Sequence, residues 1–451
     1  MGREQEDFVQ KTSLFHLAWP IFVETTLAIL IGNVDSLMLS RYSETAVGSV
    51  GNANQILNLL TLTFNIIAGA TGVIVAQYLG ARLKEKINEI YSVAIVFNLV
   101  ISLAVSGIIL IGSSFILGLM HVPKEMLGGA LSYLRLLGGF IFLQAVFNTF
   151  TQIFRSNGRT KIGMFIALSI NLLNIIGNYL FLYGPLRFLG LGVTGVAISS
   201  VVSRVVAVLA AIYCFIKYID GEISIKYIRP FPMETLKKMI RIGVPTAGES
   251  MSYSFSQLII MSFVNVLGTR SVNAKIFMGM LTNFSFIYTT SIAQGTQIIV
   301  GHLIGAGDEN EAYHRVLKAL RQGLIASIGL AVVNYLLSPY TLRIFTTDPE
   351  TLSLANKAMA IAVLMETGRA SNLVVISSMR SAGDIKFPTY LGIASMWGIS
   401  AGFSYILGLH FGFGLLGIIT AMAMDEVIRG IIVIIRWIRG NWRGRSLITS
   451  E

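Results

Sequence analysis

One pattern recurs twelve times along this chain: a long apolar stretch almost free of charge, closed by a short polar break. The apolar cores fall at 13–40, 52–78, 92–118, 130–154, 162–183, 191–216, 240–266, 278–304, 317–340, 355–380, 387–410 and 414–437. A membrane-spanning helix needs about 20 apolar residues. In hydrocarbon a lone segment satisfies its own backbone only as a helix. Charged residues make up 13% of the chain, against about 25% in a soluble domain. A wetted surface cannot be built from so few. The sequence therefore predicts an all-α membrane protein with twelve transmembrane helices.

The formal net charge is +11. In a soluble chain that would suggest nucleic acid, but here the basic residues sit in short breaks between apolar segments. Alternate breaks are rich in them: Arg82, Lys84 and Lys86; Arg155, Arg159 and Lys161; Lys226, Arg229, Lys237, Lys238 and Arg241; Arg315, Lys318 and Arg321; Lys386; then Arg436, Arg439, Arg443 and Arg445. The other breaks hold only Arg41, Lys124, Arg187, Arg270, Lys275, Arg343 and Lys357. By the positive-inside rule the rich set is cytoplasmic, which puts both termini inside. The stretch from Met1 to Lys11 lacks the basic start and cleavage site of a signal peptide, so the first helix is expected to direct its own insertion. A single cysteine, Cys214, excludes an internal disulfide.

The longest polar stretch, Lys217 to Met239, falls at the midpoint. The sequence repeats across it. Pro20 and Glu24 match Pro245 and Glu249, 225 residues later, as Thr71, Gly80 and Ala81 match Thr296, Gly305 and Ala306. The loop Arg155-Ser156-Asn157-Gly158-Arg159-Thr160-Lys161 matches Arg380-Ser381-Ala382-Gly383-Asp384-Ile385-Lys386 at the same offset. Gly192 and Gly195 match Gly414 and Gly417 at 222. Six spans is an even number, so both halves enter the membrane in one sense, as two parallel six-helix repeats. The expected organisation is an N-lobe (1–216), a cytoplasmic linker (217–239), a C-lobe (240–440) and a cytoplasmic tail (441–451), with a central cavity suited to alternating access.

With the motifs on the page, the chain resembles the multidrug and toxic compound extrusion (MATE) family, in its bacterial branch. The first helix carries the likeness in Trp19-Pro20-Ile21-Phe22-Val23-Glu24 and Gly32-Asn33-Val34-Asp35-Ser36, followed by Gly48-Ser49-Val50-Gly51-Asn52-Ala53-Asn54-Gln55. So do the loops Gly80-Ala81-Arg82, Gly305-Ala306-Gly307 and Met379-Arg380-Ser381-Ala382-Gly383-Asp384. The resemblance implies a V-shaped pair of bundles, no cofactor, and export of amphipathic, often cationic drugs against inward H⁺ or Na⁺. It also implies a monomer in a bacterial plasma membrane. Asp35 matches the family's first-helix carboxylate, and Asn174, Asn178 and Ser200 match its polar partners on the fifth and sixth helices. Asn178 stands where archaeal relatives have a second aspartate. Tyr253 and Arg369 stand where another branch has acids, so that branch's C-lobe cation site does not carry over.

The intramembrane polar residues have their own logic. A charge at mid-helix costs about 2.5–3.5 kcal/mol on insertion scales, so it faces a cavity or a partner. Glu24 and Asp35 lie about three turns apart on one face. Each is either a coupling acid or an acceptor for neighbouring helices. Asn174 and Asn178 share a face at i,i+4, as cation or proton ligands or as interhelical contacts. Glu366, Arg369 and Asn372 form one stripe, and Asp425 and Glu426 lie a turn before Arg429. These read as internal ion pairs, or as a C-lobe coupling network that includes Glu249. Arg155, Lys161, Arg380 and Lys386 read as topology determinants and lipid-headgroup contacts.

No phosphate-binding GxxxxGK[ST] loop occurs, so ATP is not the energy source within this chain. No His/Glu metal motif or nucleophile–base pair points to an enzyme. A flippase for lipid-linked sugars is the alternative. Its cavity would be cationic to hold a pyrophosphate, whereas Asp35, Glu24, Glu249 and Glu366 here stand against Arg369 and Arg204.

Overall fold

The computed structural model describes residues 13–448. The expected cytoplasmic segment 1–11, the last tail residues 449–451 and the side chains of 31–33, which include Gly32 and Asn33 of the first-helix motif, lie outside that description. The described residues form helices and no strand. In order they are α1 (Leu14–Tyr42), α2 (Glu44–Gly80), α3 (Lys84–Leu119), α4 (Lys124–Gly139, then Ile141–Ser156), α5 (Thr160–Leu182) and α6 (Gly192–Cys214). After the linker come α7 (Met233–Val266), α8 (Thr269–Gly305), α9 (Glu309–Thr341), α10 (Pro349–Ser381), α11 (Lys386–Ser395, continuing through π-helical Met396–Ala401 and Ser404–His410) and α12 (Gly414–Ile438).

Each of the twelve expected segments thus has a helix in its place. Among the described residues, nine helices are long and apolar enough to cross a membrane, and α4, bent by 46°, makes a tenth. The other two are α7 and α12. Three charged side chains, Asp425, Glu426 and Arg429, interrupt the apolar run of α12. In α7, Glu249 is followed by the hydroxyls of Ser250, Ser252, Ser254 and Ser256. Helices that face only lipid have no use for such residues. By contrast, α3 carries Ile111 at 88% exposure, a face that suits hydrocarbon.

The chain divides into two compact units, one of Trp19–Leu79 with Leu83–Gly243, the other mainly Val244–Glu451. Their cores are built from equivalent positions. Leu39, Leu117, Ala130 and Leu134 of the first core sit 225 residues before Val264, Leu342, Ala355 and Met359 of the second. Val196 and Ala197 sit 222 before Ile418 and Ile419. The repeat therefore extends from identical residues to packing. It extends to local hydrogen bonding as well. Ser156 Oγ donates to the Gly72 carbonyl at 2.9 Å, and Ser381 Oγ to the Gln297 carbonyl at 2.6 Å, both pairs 225 apart. After each serine the chain turns through a left-handed glycine, Gly158 (φ 72°) or Gly383 (φ 92°), where any side chain would be strained.

The linker is partly ordered onto its own lobe. Glu222 N donates to Asn88 Oδ1 at 3.1 Å and Ser224 N to Ser92 Oγ at 3.3 Å, both on α3. Its last turn, from Met233, is already helical and begins α7 ahead of the apolar core.

Candidate functional site

The N-lobe brings Asp35, Asn174, Asn178 and Ser200 into one hydrogen-bonded line. Asn178 Nδ2 donates to Asp35 Oδ1 at 2.5 Å and leans towards Asn174 Oδ1 at 3.3 Å. Asn174 Nδ2 donates to Ser200 Oγ at 2.9 Å, and Ser199 Oγ donates to the Asn174 carbonyl at 3.0 Å. The helical spacing of Asn174 and Asn178 makes this possible, since i,i+4 side chains stack on one face of α5. Both amides and Ser200 are buried, while Asp35 is half-buried. Asn178 Oδ1 is enclosed and has no hydrogen-bond partner among the described residues.

Two neighbours of Asp35 were not assigned to it from sequence. Arg204, on α6, interacts electrostatically with the Asp35 carboxylate. The phenol of Tyr133 on α4 lies within electrostatic reach of both. A signal for Arg204 was present: it lies one turn after Ser200, on the same face of α6. The site thus pairs one acid with one guanidinium.

The basic loops yield a correction. Arg155 and Arg380, expected at lipid headgroups, are instead partners of Glu24 and Glu249. Arg155 Nη2 lies 3.0 Å from Glu24 Oε1, both side chains 10% exposed. Arg380 pairs with Glu249 in the C-lobe. Both members of each pair recur at 225, so this is one ion pair built twice. The reason is energetic: a glutamate inside a helix bundle needs a cation, and the last turn of the fourth helix in each repeat supplies one. Lys161 and Lys386 do remain exposed.

The remaining C-lobe charges form one network across α10 and α12. Arg369 pairs with Glu366, which is fully buried and also accepts from Ser285 Oγ at 3.1 Å. Arg369 Nε lies 3.8 Å from Glu426 Oε1, and its guanidinium faces the Phe286 ring at 5.7 Å. Arg429 Nη2 reaches Asp425 Oδ2 at 3.2 Å and Glu426 Oε2 at 3.1 Å. Asp425 also accepts from Ser395. Asn372 Nδ2 donates to the Glu426 carbonyl at 2.8 Å and to Glu426 Oε2 at 2.7 Å. Contact this close needs Gly368, because a Cβ there would meet the Glu426 backbone at 2.4 Å. Glu249, held by Arg380, touches this network only through electrostatic reach to Arg429.

Comparison with known proteins gives a consistent picture. A family model described as MatE matches residues 20–180 and again 245–406, one copy in each half. The chain is 39% identical to the uncharacterized transporter YisQ of Bacillus subtilis, covering 95% of this chain and 94% of that one. It is 24% identical to a probable multidrug resistance protein NorM of Thermotoga maritima, over 100% and 97% of the two chains. Among solved structures it resembles an outward-facing multidrug resistance MATE family transporter, with a TM-score of 0.84, 20% identity and 96% coverage of each chain.

Proposed function

The chain belongs to the MatE family, a family of efflux transporters rather than enzymes, and from that premise we propose that it is a secondary antiporter that exports amphipathic cationic compounds in exchange for inward protons. Asp35 is the coupling group. The linker, tail and N-terminus face the cytoplasm of a bacterial cell, as the Lys/Arg asymmetry supports.

The observation that carries this reading is the make-up of the Asp35 site. Among the described residues it holds a single carboxylate, tied through Asn178 to Asn174 and Ser200. A proton needs only one carboxylate oxygen. Sodium needs several hard oxygens with enough negative charge to replace its water, and here Asn178 and the nearby Arg204 stand where more carboxylate would help. The enclosed Asn178 Oδ1 can accept from a neutral Asp35 once the amide turns over. The site thus has a partner for each protonation state. For coupling, the bound proton must favour one conformation over the other, since equal affinity for both shifts nothing. A cationic substrate then competes for the freed carboxylate and leaves outward.

Asp35→Asn keeps size and hydrogen bonding but removes charge and titration. In proteoliposomes the variant is expected to insert and fold normally, yet to show no substrate efflux driven by a pH gradient. Full exchange from a well-folded Asp35→Asn protein would overturn the assignment. Efflux that requires Na⁺ at constant pH and survives a protonophore would replace the proton with sodium.

A further inference from the structure

Arg155, Arg369, Arg380 and Arg429 each hold a carboxylate in an ion pair. Arg204 of α6 holds none: among the described residues it makes no ion pair and no hydrogen bond. Its Nη1 is enclosed all the same. Asp35 and Tyr133 act on it through electrostatics alone. A guanidinium carries five N–H donors and stays charged. Taken out of water, such a group is costly unless an acceptor meets it. The scaffold can supply partners at this point. At the equivalent C-lobe position, Glu426 is met by Arg429 at 3.1 Å and by Asn372 Nδ2 at 2.7 Å.

We propose that Arg204 is a substrate-binding residue of the Asp35 site: it takes a carboxylate of the transported compound while Asp35 takes the ammonium, so the site selects zwitterions over simple cations. Position is the second observation. Arg204 follows Ser200 by one turn, and Ser200 ends the hydrogen-bonded line that starts at Asp35. Side chains on a helix lean towards its N-terminus, which carries the guanidinium back along that line towards Asp35. The Arg204 side chain is half-buried rather than sealed, so a ligand can reach it.

Charge is the third. The site sets one acid beside one guanidinium. A simple cation drawn to Asp35 is repelled by Arg204 at close range. A compound bearing both signs meets an opposite charge at each end. The planar fork of an arginine also matches the two oxygens of a carboxylate, so it fixes the orientation of the compound as well as its charge. When Asp35 takes a proton, the ammonium loses its partner and only the carboxylate end is still held.

The inference rests on the transporter reading for calling the ligand a substrate, but its test reads binding. The full-length protein in lipid nanodiscs is titrated calorimetrically with two probes. Tryptophan betaine carries a fixed quaternary ammonium and a carboxylate; its methyl ester keeps the ammonium alone. The native protein is expected to prefer the betaine by about tenfold or more, the worth of one charged hydrogen-bonded contact. Arg204→Met should abolish that preference and bind the ester at least as well as the native protein does. Asp35→Asn should weaken both probes, since both carry the ammonium. Should Arg204→Met not fold, the native ratio decides, together with Arg204→Lys, which keeps the charge without the fork and should show a smaller preference. A native protein that binds the ester as tightly as the betaine, an Arg204→Met protein that keeps the preference, or an Asp35→Asn protein that binds both probes undiminished would overturn the proposal. If Asp35→Asn transports normally while the binding results are as stated, the coupling role of Asp35 falls and the carboxylate subsite stands.

Discussion

The two lobes of this protein share a scaffold and differ in the charges hung on it. The ion pair between the first and fourth helices of each repeat is kept, Glu24 with Arg155 and Glu249 with Arg380. So are the serine-to-carbonyl bond beside it and the core positions around it. Elsewhere the sign of the charge is reversed. Arg204 of α6 and Glu426 of α12 are equivalent at the 222 offset, yet one faces Asp35 and the other faces two arginines. Arg159 and Asp384 are equivalent at 225. Asp384 is fully buried between Arg436 of α12 and Arg445 of the tail, at 2.7 and 3.1 Å. What is kept is what any six-helix lobe needs to pack. What differs is where chemistry specific to one lobe can reside: the N-lobe sets Asp35 beside Arg204, and the C-lobe holds a five-charge network.

The largest effect is expected where a lobe-specific charge is stripped of its partner. Arg369→Ala leaves three carboxylates, two of them buried, facing one guanidinium, and breaking a buried pair costs about 3–5 kcal/mol. The variant should express poorly and melt early, with partial rescue on adding Glu366→Gln. In the N-lobe Arg204→Ala exposes only one acid, so its loss of melting temperature should be smaller. Normal expression of Arg369→Ala with lost transport would mean that Arg369 acts on the transported species rather than on the fold.

The shared ion pair sharpens the comparison from the other side. Glu24→Gln and Glu249→Gln each leave one enclosed arginine short of its acid, at a cost of about 2 kcal/mol. If the pair is scaffold, the two variants should lower the melting temperature alike, and each should be repaired by exchanging glutamate and arginine within its pair. Unequal effects, with transport lost in one lobe only, would make that lobe's pair functional.

Much of this was legible in the sequence. The twelve helices followed from apolar length, although α7 and α12 carry more polar residues than a lipid-facing span, and the repeat followed from matched residues at one offset. The line from Asp35 to Ser200 followed from i,i+4 spacing together with the family resemblance. The helix–helix partnerships were not legible, because periodicity gives the face of a helix and not what lies against it. Arg155 therefore read as a loop cation, although its recurrence with Glu24 at a single offset already hinted at a pair. Arg204 was counted among the charges without a partner for the same reason. The bend in α4 and the π-helical turns of α11 depend on packing, which no local pattern records.

The smallest expected effect lies at the start of the fourth helix in each repeat, where the lobes again diverge. Asp348 caps α10, its carboxylate accepting from Thr351 N at 3.1 Å and from the Thr351 hydroxyl at 2.5 Å. The equivalent position ahead of α4 is Pro123, which offers no side-chain cap. A capping acid fills one of the orphan donors of a first turn and complements the helix dipole. The Thr351 hydroxyl and then its backbone N–H, with Arg270 adding less, hold the Asp348 carboxyl below the usual carboxylate range. The folded value is thus lower than the unfolded one. The cap's contribution is full above the ordinary aspartate pKa of about 3.9 and is lost as pH falls through the folded value. Asp348→Ala should lower the melting temperature at neutral pH by less than either ion-pair variant, and the difference from native should vanish on acidification. Because Pro123 has no carboxyl to titrate, Pro123→Ala should show no such pH dependence. A deficit in Asp348→Ala that persists in acid would assign the effect to lost packing rather than to the cap.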